Sequence, residues 1–112
     1  MAEDCLFCKI VAGEIPSTKV YEDESTYAFR DLNPQAPFHV LVVPRQHFVD
    51  IVDLGQDAAA SAGLIAGLRG LAEQESLDNF RTVFNTGAGV GQSVFHVHAH
   101  VLANRPMTWP PG

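Results

Sequence analysis

Several features that would assign this 112-residue chain to a particular class of protein are scarce in its sequence. Lysine and arginine number seven against thirteen acidic residues, so the formal net charge is -6. This balance disfavours attraction to nucleic acid or to an anionic membrane surface. No apolar run approaches the roughly 20 residues that cross a bilayer, and the start is acidic where a secretory signal is basic. We therefore expect a cytoplasmic protein without nucleic-acid or membrane partners.

Cysteine is also scarce, with two residues, Cys5 and Cys8, in the whole chain. A disulfide between them would close a very small loop and restrain little of the unfolded chain, so a stabilising disulfide is not expected. Their C-x-x-C spacing is typical of half a zinc site or of a redox pair, and two small apolar residues on a helix would also give it. These three interpretations stay open at this point.

The remaining composition is that of an ordinary globular protein, with 46% hydrophobic and 18% charged residues. This excludes disordered and fibrous classes, and the length fits one domain, residues 1–112, with a single core. The hydrophobic patterns predict an α+β fold, an antiparallel five-stranded sheet with one long and one short helix. Helices are expected over 5–12 and 57–76, and strands over 19–22, 26–30, 39–43, 80–85 and 94–102. Residues 103–112 are expected to form an extended tail.

The last predicted strand carries three histidines at alternate positions, His96, His98 and His100. Alternate side chains of a strand share one face, so the apolar residues between them can enter the core while the imidazoles line a cleft. Imidazole is nucleophilic and titrates near neutrality, so a neutral histidine can attack phosphorus while protonated neighbours hold phosphate oxygens. Solvated strand histidines are one alternative. A three-histidine metal site is another, although positions i and i+4 lie about 13 Å apart on a strand, and one histidine could still be a ligand.

The segment before these histidines, residues 85–93, places three glycines in alternation. Glycine lets backbone N–H groups approach an anion closely, and Ser93 adds a hydroxyl, so this loop is a candidate phosphate cradle. With few basic residues available, an anionic ligand would depend on such local donors. A wide hairpin turn would use glycines as well, and the loop matches neither a P-loop nor a dinucleotide fingerprint.

Residues 91–102, Gly-Gln-Ser-Val-Phe-His-Val-His-Ala-His-Val-Leu, resemble the signature of the histidine triad (HIT) superfamily. The ending Trp-Pro-Pro-Gly at 109–112 resembles that of its Hint branch. The resemblance to the Hint branch extends to residues 28–31, 34–37 and 43–47, so it covers nearly the whole chain.

The resemblance implies a homodimer that binds a purine nucleoside monophosphate unit and cleaves the bond from its α-phosphorus to a leaving group. His98 would form a covalent nucleotidyl intermediate, His100 would contact the phosphate, and Ser93 would lie near the leaving group. No catalytic metal would be required. The nucleotide-binding residues implied are Asp31 at the ribose, Leu32 at the base, and Asn85, Gly91, Gln92, Ser93, His98 and His100.

The same resemblance implies a structural zinc held by Cys5, Cys8, His47 and His96. Four such ligands form a sound tetrahedral shell. His39, at the start of a buried strand, is expected to be a structural neighbour of the triad or a proton relay. Trp109 would either pack the tail down or, as the resemblance implies, lie near the partner protomer's active site.

Three functions remain as hypotheses. A Hint-like phosphoramidase releasing AMP or GMP leads, because the third histidine, His100, is typical of the hydrolases in this superfamily rather than its transferases. A Fhit-like dinucleoside polyphosphate hydrolase is disfavoured by the Trp-Pro-Pro-Gly ending. A nucleotide-binding regulatory protein with vestigial catalysis is disfavoured by the intact triad, Ser93 and Asn85.

Overall fold

The protein is described by a computed structural model over residues 4–112. The acidic start at residues 1–3, which bears on the predicted lack of a secretory signal, lies outside the described residues. The elements in chain order are α1 (Leu6–Val11), β1 (Lys19–Glu22), β2 (Thr26–Arg30), β3 (Phe38–Pro44), α2 (Ile51–Leu54), α3 (Ala58–Gln74), β4 (Phe80–Val83) and β5 (Ala99–Ala103).

The five strands form one antiparallel sheet in the order β1-β2-β3-β5-β4. The central strand β3 is buried along its whole length, in keeping with a run of apolar residues that is covered on both faces. The predicted α+β fold with a five-stranded antiparallel sheet is confirmed.

Helix α3 covers one face of this sheet. Its Leu64 and Leu71 pack with a cluster that includes Val40 and Val42 of β3. The helix lies close to β2, because a Cβ atom added at Gly67 would come within 2.5 to 2.7 Å of the Thr26 side chain. Asp57 caps the helix by accepting the N–H of Ala60, as its position before the apolar repeat predicts.

The other face of the sheet is covered in part by the short helix α1. Phe7 and Ile10 of this helix pack with Phe29, Leu41 and Val43 of the sheet, and the rings of Phe7 and Phe29 meet edge to face with centroids 5.4 Å apart. Beyond α1, this face carries His39 and His100, whose rings lie with centroids 5.2 Å apart.

The prediction of a strand over 94–102 is wrong in its first half, because β5 spans Ala99–Ala103. The N–H of Val97 donates to the carbonyl oxygen of Phe48 at 2.7 Å, so this stretch runs beside the segment that follows β3. His96 and His98 therefore precede the strand, and His100 alone of the three lies in it. Strand β4 also ends at Val83, earlier than predicted.

The structure adds a one-turn helix, α2, where the sequence analysis assigned no element. Asp50 caps this helix by accepting the N–H of Asp53, as an aspartate at this position commonly does, and the Asp53 carboxylate accepts the N–H of Val49, the residue before the cap. After β5, Arg105 donates to the carbonyl oxygen of Gln35, and Trp109 is 82% exposed on the single chain. Within residues 4–112, none of the helices has the length and apolarity needed to cross a membrane.

Candidate active site and adjoining metal centre

A cavity of about 300 Å³ opens between α1, the exposed part of the sheet face and the glycine-rich loop. One wall is apolar and is formed by Leu6, Phe7 and Ile10 of α1 with Phe29 and Leu41. The opposite side is polar, and its lining includes Asp31, Asn85, Gly91, Ser93, His98 and His100. A pocket with one apolar wall and a few convergent polar groups is suited to a ligand that joins a flat ring to an anionic group.

The glycine-rich loop is shaped by two glycines with positive φ, Gly87 (94°) and Gly91 (104°), which flank a single 3-10 turn. Residues with a Cβ are disfavoured in this conformation. The buried Gln92 amide ties the loop down, since its oxygen accepts the N–H of Gly87 and its nitrogen donates to the Val49 and Val94 carbonyls. Gln92 therefore supports the loop and does not line the cavity, whereas Gly91 and Ser93 do.

The ring of His98 has one nitrogen fixed by the backbone. Its Nδ1 lies 2.8 Å from the carbonyl oxygen of His96, and because a carbonyl only accepts, Nδ1 carries the proton. In a neutral ring the lone pair is then on Nε2. Burial lowers the pKa of His98, although the His96 carbonyl and Asp31 act in the opposite direction. His98 is thus a neutral imidazole in the cavity wall with a nucleophilic nitrogen available.

A chain of hydrogen bonds fixes the tautomers of two further histidines. The N–H of Gln35 donates to Nδ1 of His39 at 2.9 Å, so the proton of a neutral His39 is on Nε2. That atom lies 2.9 Å from Nδ1 of His100 and donates to it. The remaining proton of His100 is then on Nε2, which makes this ring a hydrogen-bond donor at the cavity.

The protonation of His100 differs from the expectation that protonated neighbours would flank the nucleophile. Burial, followed by the neighbouring His98 and His39, lowers the pKa of His100 to about 4. Burial also lowers the pKa of His39. Both rings are neutral near pH 7, so His100 offers a neutral N–H donor to the cavity that it lines.

Asp31 lies beside this chain, with Oδ2 3.3 Å from His39 Nε2 and 3.8 Å from His100 Nδ1. These three ligand-type atoms are close enough together to suggest a metal site. However, a metal needs the lone pair of Nε2 of His39, and that nitrogen holds a proton because Nδ1 accepts from Gln35. The group is therefore a hydrogen-bonded cluster.

A second cluster, Cys5, Cys8, His47 and His96, lies outside the lining of this cavity, and we call it the metal centre. His96 Nδ1 is 3.4 Å from each sulfur and 3.3 Å from His47 Nδ1, and Cys8 Sγ is 3.4 Å from His47 Nδ1. Bond lengths of about 2.3 Å to sulfur and 2.0 Å to nitrogen at tetrahedral angles imply separations of about 3.5 Å for sulfur to nitrogen and about 3.3 Å for two nitrogens.

The chemistry of the donors also fits zinc. Nε2 of His96 lies 2.8 Å from the Pro44 carbonyl oxygen and donates to it, which leaves the Nδ1 lone pair directed at the cysteines. A carbonyl that orients a ligand histidine in this way is usual at zinc sites. The residues present thus fit a tetrahedral zinc ion.

The structure brings together Asp31, Leu32, Asn85, Gly91, Ser93, His98 and His100 around one cavity, and the four implied zinc ligands in another cluster. One contributor was not identified from the sequence. Phe7 was placed only within the helix expected over 5–12, yet it lines the cavity and contacts the rings of both His98 and His96. His39 lies beside the triad, as expected for a structural neighbour, and bonds to His100.

The triad, the glycine-rich loop and the sheet define a histidine triad fold, and comparison with known proteins agrees. The HIT domain family matches residues 12–107, so the chain belongs to this family.

Relatives match along the full chain. An uncharacterized HIT-like protein of Synechococcus elongatus is 45% identical, with all of both chains covered. A 14 kDa zinc-binding protein of Zea mays is 44% identical over 96% of this chain and 87% of that protein. Among solved structures, a HIT family hydrolase from Legionella pneumophila is 47% identical, with a TM-score of 0.89 over 97% of this chain and all of that one. A histidine triad protein from Clostridium difficile is 41% identical, with a TM-score of 0.89 over 96% of each chain.

Proposed function

We propose that this protein hydrolyses nucleoside 5'-phosphoramidates at the bond between the α-phosphorus and nitrogen, and releases AMP or GMP and an amine. The observation that carries the proposal is the state of His98, a neutral ring whose Nδ1–H is held by the His96 carbonyl and whose Nε2 is left with a lone pair. The relative described as a HIT family hydrolase supports the general class of reaction.

The reaction takes place in two displacements. In the first, Nε2 of His98 attacks the α-phosphorus and the phosphorus–nitrogen bond to the leaving group breaks, while the departing nitrogen takes a proton from solvent water by way of the Ser93 hydroxyl, which lines the cavity. The nucleotidyl ring now bears positive charge, and its Nδ1–H bond to the His96 carbonyl stabilises that charge. In the second, water attacks phosphorus and the bond to Nε2 breaks. The attacking water loses its proton to solvent, which balances the proton taken by the amine, and the products are the nucleoside monophosphate and a neutral His98.

The cavity supplies matched contacts for each part of the substrate. Nε2–H of His100 and the loop at Gly91 and Ser93 offer donors to the phosphate oxygens. The carboxylate of Asp31 suits the ribose hydroxyls. The apolar wall of α1 suits a purine ring, and Leu32, fully exposed on the single chain, would cover the ring at the mouth of the cavity. A chain of net charge -6 thus binds an anion through neutral, local donors.

We further propose that the metal centre holds a structural zinc, supported by the Zea mays relative described as a zinc-binding protein. We also propose that the protein is a cytoplasmic homodimer, and that the exposed Trp109 meets the partner protomer. Sedimentation should show a dimer, and Trp109→Ala should alter substrate preference more than folding.

The proposed activity is tested with adenosine phosphoramidate and, separately, diadenosine polyphosphate. His98→Asn is the informative variant, because the asparagine amide can still donate to the His96 carbonyl while Nε2 is removed. The exposed Thr108→Ala serves as the control. We expect the control to retain phosphoramidate turnover and His98→Asn to lose it. Preference for the polyphosphate would favour the Fhit-like alternative, and binding of AMP without turnover of either substrate would favour a regulatory protein.

A further inference from the structure

Helix α1 belongs at once to the metal centre and to the wall of the substrate cavity. Cys5 caps its N-terminus by accepting the N–H of Cys8, and both sulfurs lie against the metal-centre histidines. Between the two cysteines in sequence is Phe7, whose side chain turns to the cavity with Leu6 and Ile10. One short helix therefore presents metal ligands on one side and substrate-facing residues on another.

The metal centre is joined to the nucleophile by a second contact. The carbonyl oxygen of His96, whose ring is a metal ligand, accepts the Nδ1–H of His98. The ring of Phe7 also meets both histidine rings, at centroid distances of 5.0 Å to His98 and 6.1 Å to His96. The ligands of the metal centre thus adjoin the groups that the nucleotide touches.

A helix of six residues has little stability of its own, because helices of fewer than about 12 residues are marginal in water. The position of α1 depends on its packing against Phe29, Leu41 and Val43 and on the ligand sulfurs of the metal centre. Helix α3 and its core lie on the opposite face of the sheet. Loss of the metal should therefore loosen α1 while the larger part of the fold remains.

We propose that the metal centre is a positioning device for nucleotide binding, which fixes α1 so that Phe7 forms the cavity wall. This inference rests on the proposed nucleotide and zinc sites. Its consequence is thermodynamic coupling: zinc strengthens AMP binding, and AMP strengthens zinc binding by the same factor, since coupling between two sites is reciprocal.

The test measures AMP affinity of the whole protein by calorimetry with zinc bound and after chelation, and zinc affinity by competition with a chelator with and without AMP. We expect each affinity to change about tenfold, within the range usual for coupled sites. Far-UV circular dichroism should show that α3 and the sheet persist after chelation. Equal AMP affinity in the two metal states would overturn the inference.

Phe7→Leu separates positioning of the cavity wall from a general effect on folding. This variant keeps all four metal ligands, and we expect the zinc-to-AMP coupling to fall to about twofold or less, as for groups that no longer share a contact. The matched control is Lys9→Gln on the same helix, which should retain the full coupling. If Phe7→Leu shows the same zinc-to-AMP coupling as the native chain, the proposal is contradicted. This conclusion holds even if chelation unfolds the protein.

Failure of the underlying sites would be recognised separately. No AMP binding to the zinc-loaded protein would refute the proposed nucleotide site and this inference with it. If the protein does not bind zinc, the proposed metal centre is refuted, and this inference with it. Binding of both ligands without coupling would overturn the positioning role alone and leave the proposed function standing.

Discussion

Replacing His39 by phenylalanine removes the donor that fixes the tautomer of His100. In the native chain Nε2–H of His39 donates to His100 Nδ1 at 2.9 Å, so His100 presents Nε2–H to the cavity, where the phosphate of the proposed substrate would lie. Without that donor, His100 can place its proton on Nδ1 towards Asp31, and the lone pair of Nε2 then faces the phosphate oxygens. A neutral hydrogen bond is worth about 0.5 to 1.5 kcal/mol, so we expect kcat/KM for the phosphoramidate to fall about 2- to 10-fold.

His39→Gln is the matched control for this change. Its amide can donate in place of Nε2–H, yet like phenylalanine it offers nothing at the position of Nδ1, which accepts the N–H of Gln35. Both variants should therefore lose similar stability, and the glutamine variant alone should keep activity. The assay is kcat/KM together with 15N chemical shifts of the His100 ring. Equal losses in the two variants, or an unchanged His100 tautomer in His39→Phe, would refute this reasoning.

Three further changes test other parts of the structure. Gly91→Ala places a residue with a Cβ atom at φ 104°, although no heavy atom outside the neighbouring residues lies within 4 Å of that Cβ. The backbone strain should lower the free energy of unfolding, measured with urea, by about 1 kcal/mol. Gly89→Ala, which has equal space and no positive φ, should leave it nearly unchanged. Gly67→Ala brings a Cβ against Thr26, and we expect about 1 to 3 kcal/mol of destabilisation. Because the pKa of His100 is lowered to about 4, the unfolded chain binds more protons between pH 7 and 5, and the free energy of unfolding should fall by up to about 2 kcal/mol on acidification. His100→Asn should show a smaller fall, and an equal fall would contradict this pKa.

The alternation of the triad predicted which of the intervening apolar residues enter the core better than it predicted the extent of the strand. Val97 and Val101 enter the core under α3 as the period of two requires. Residues 94–98 are not a strand, because the N–H of Val97 pairs with Phe48 outside the sheet. A local pattern reports which side chains are apolar, and it does not report which distant backbone group accepts a hydrogen bond. The bend that takes His96 to the cysteines was therefore not predictable.

Other contacts in the candidate site also join residues that are far apart in sequence, and local sequence patterns do not predict such contacts. Cys5 and His96 are 91 positions apart, and the residues alone left three interpretations of the cysteine pair open; the family resemblance supplied the histidines. His39 contacts His100 because β3 pairs with β5 in a register that sets Leu41 opposite His100. This register cannot be deduced from the sequence of either strand alone. Helix α2 was predictable, since aspartate, as at Asp50, is preferred as the residue that caps a helix N-terminus.

The most direct test of the central claim is to capture the nucleotide on His98. Acid-free rapid quench of the protein with adenosine phosphoramidate, followed by intact mass and peptide mapping, should show one nucleotidyl group per chain, attached to the peptide that carries His98. The adduct should decay at the rate at which AMP appears, and His98→Asn should not form it. A nucleotidyl group on another residue, or turnover that proceeds in His98→Asn, would contradict the account.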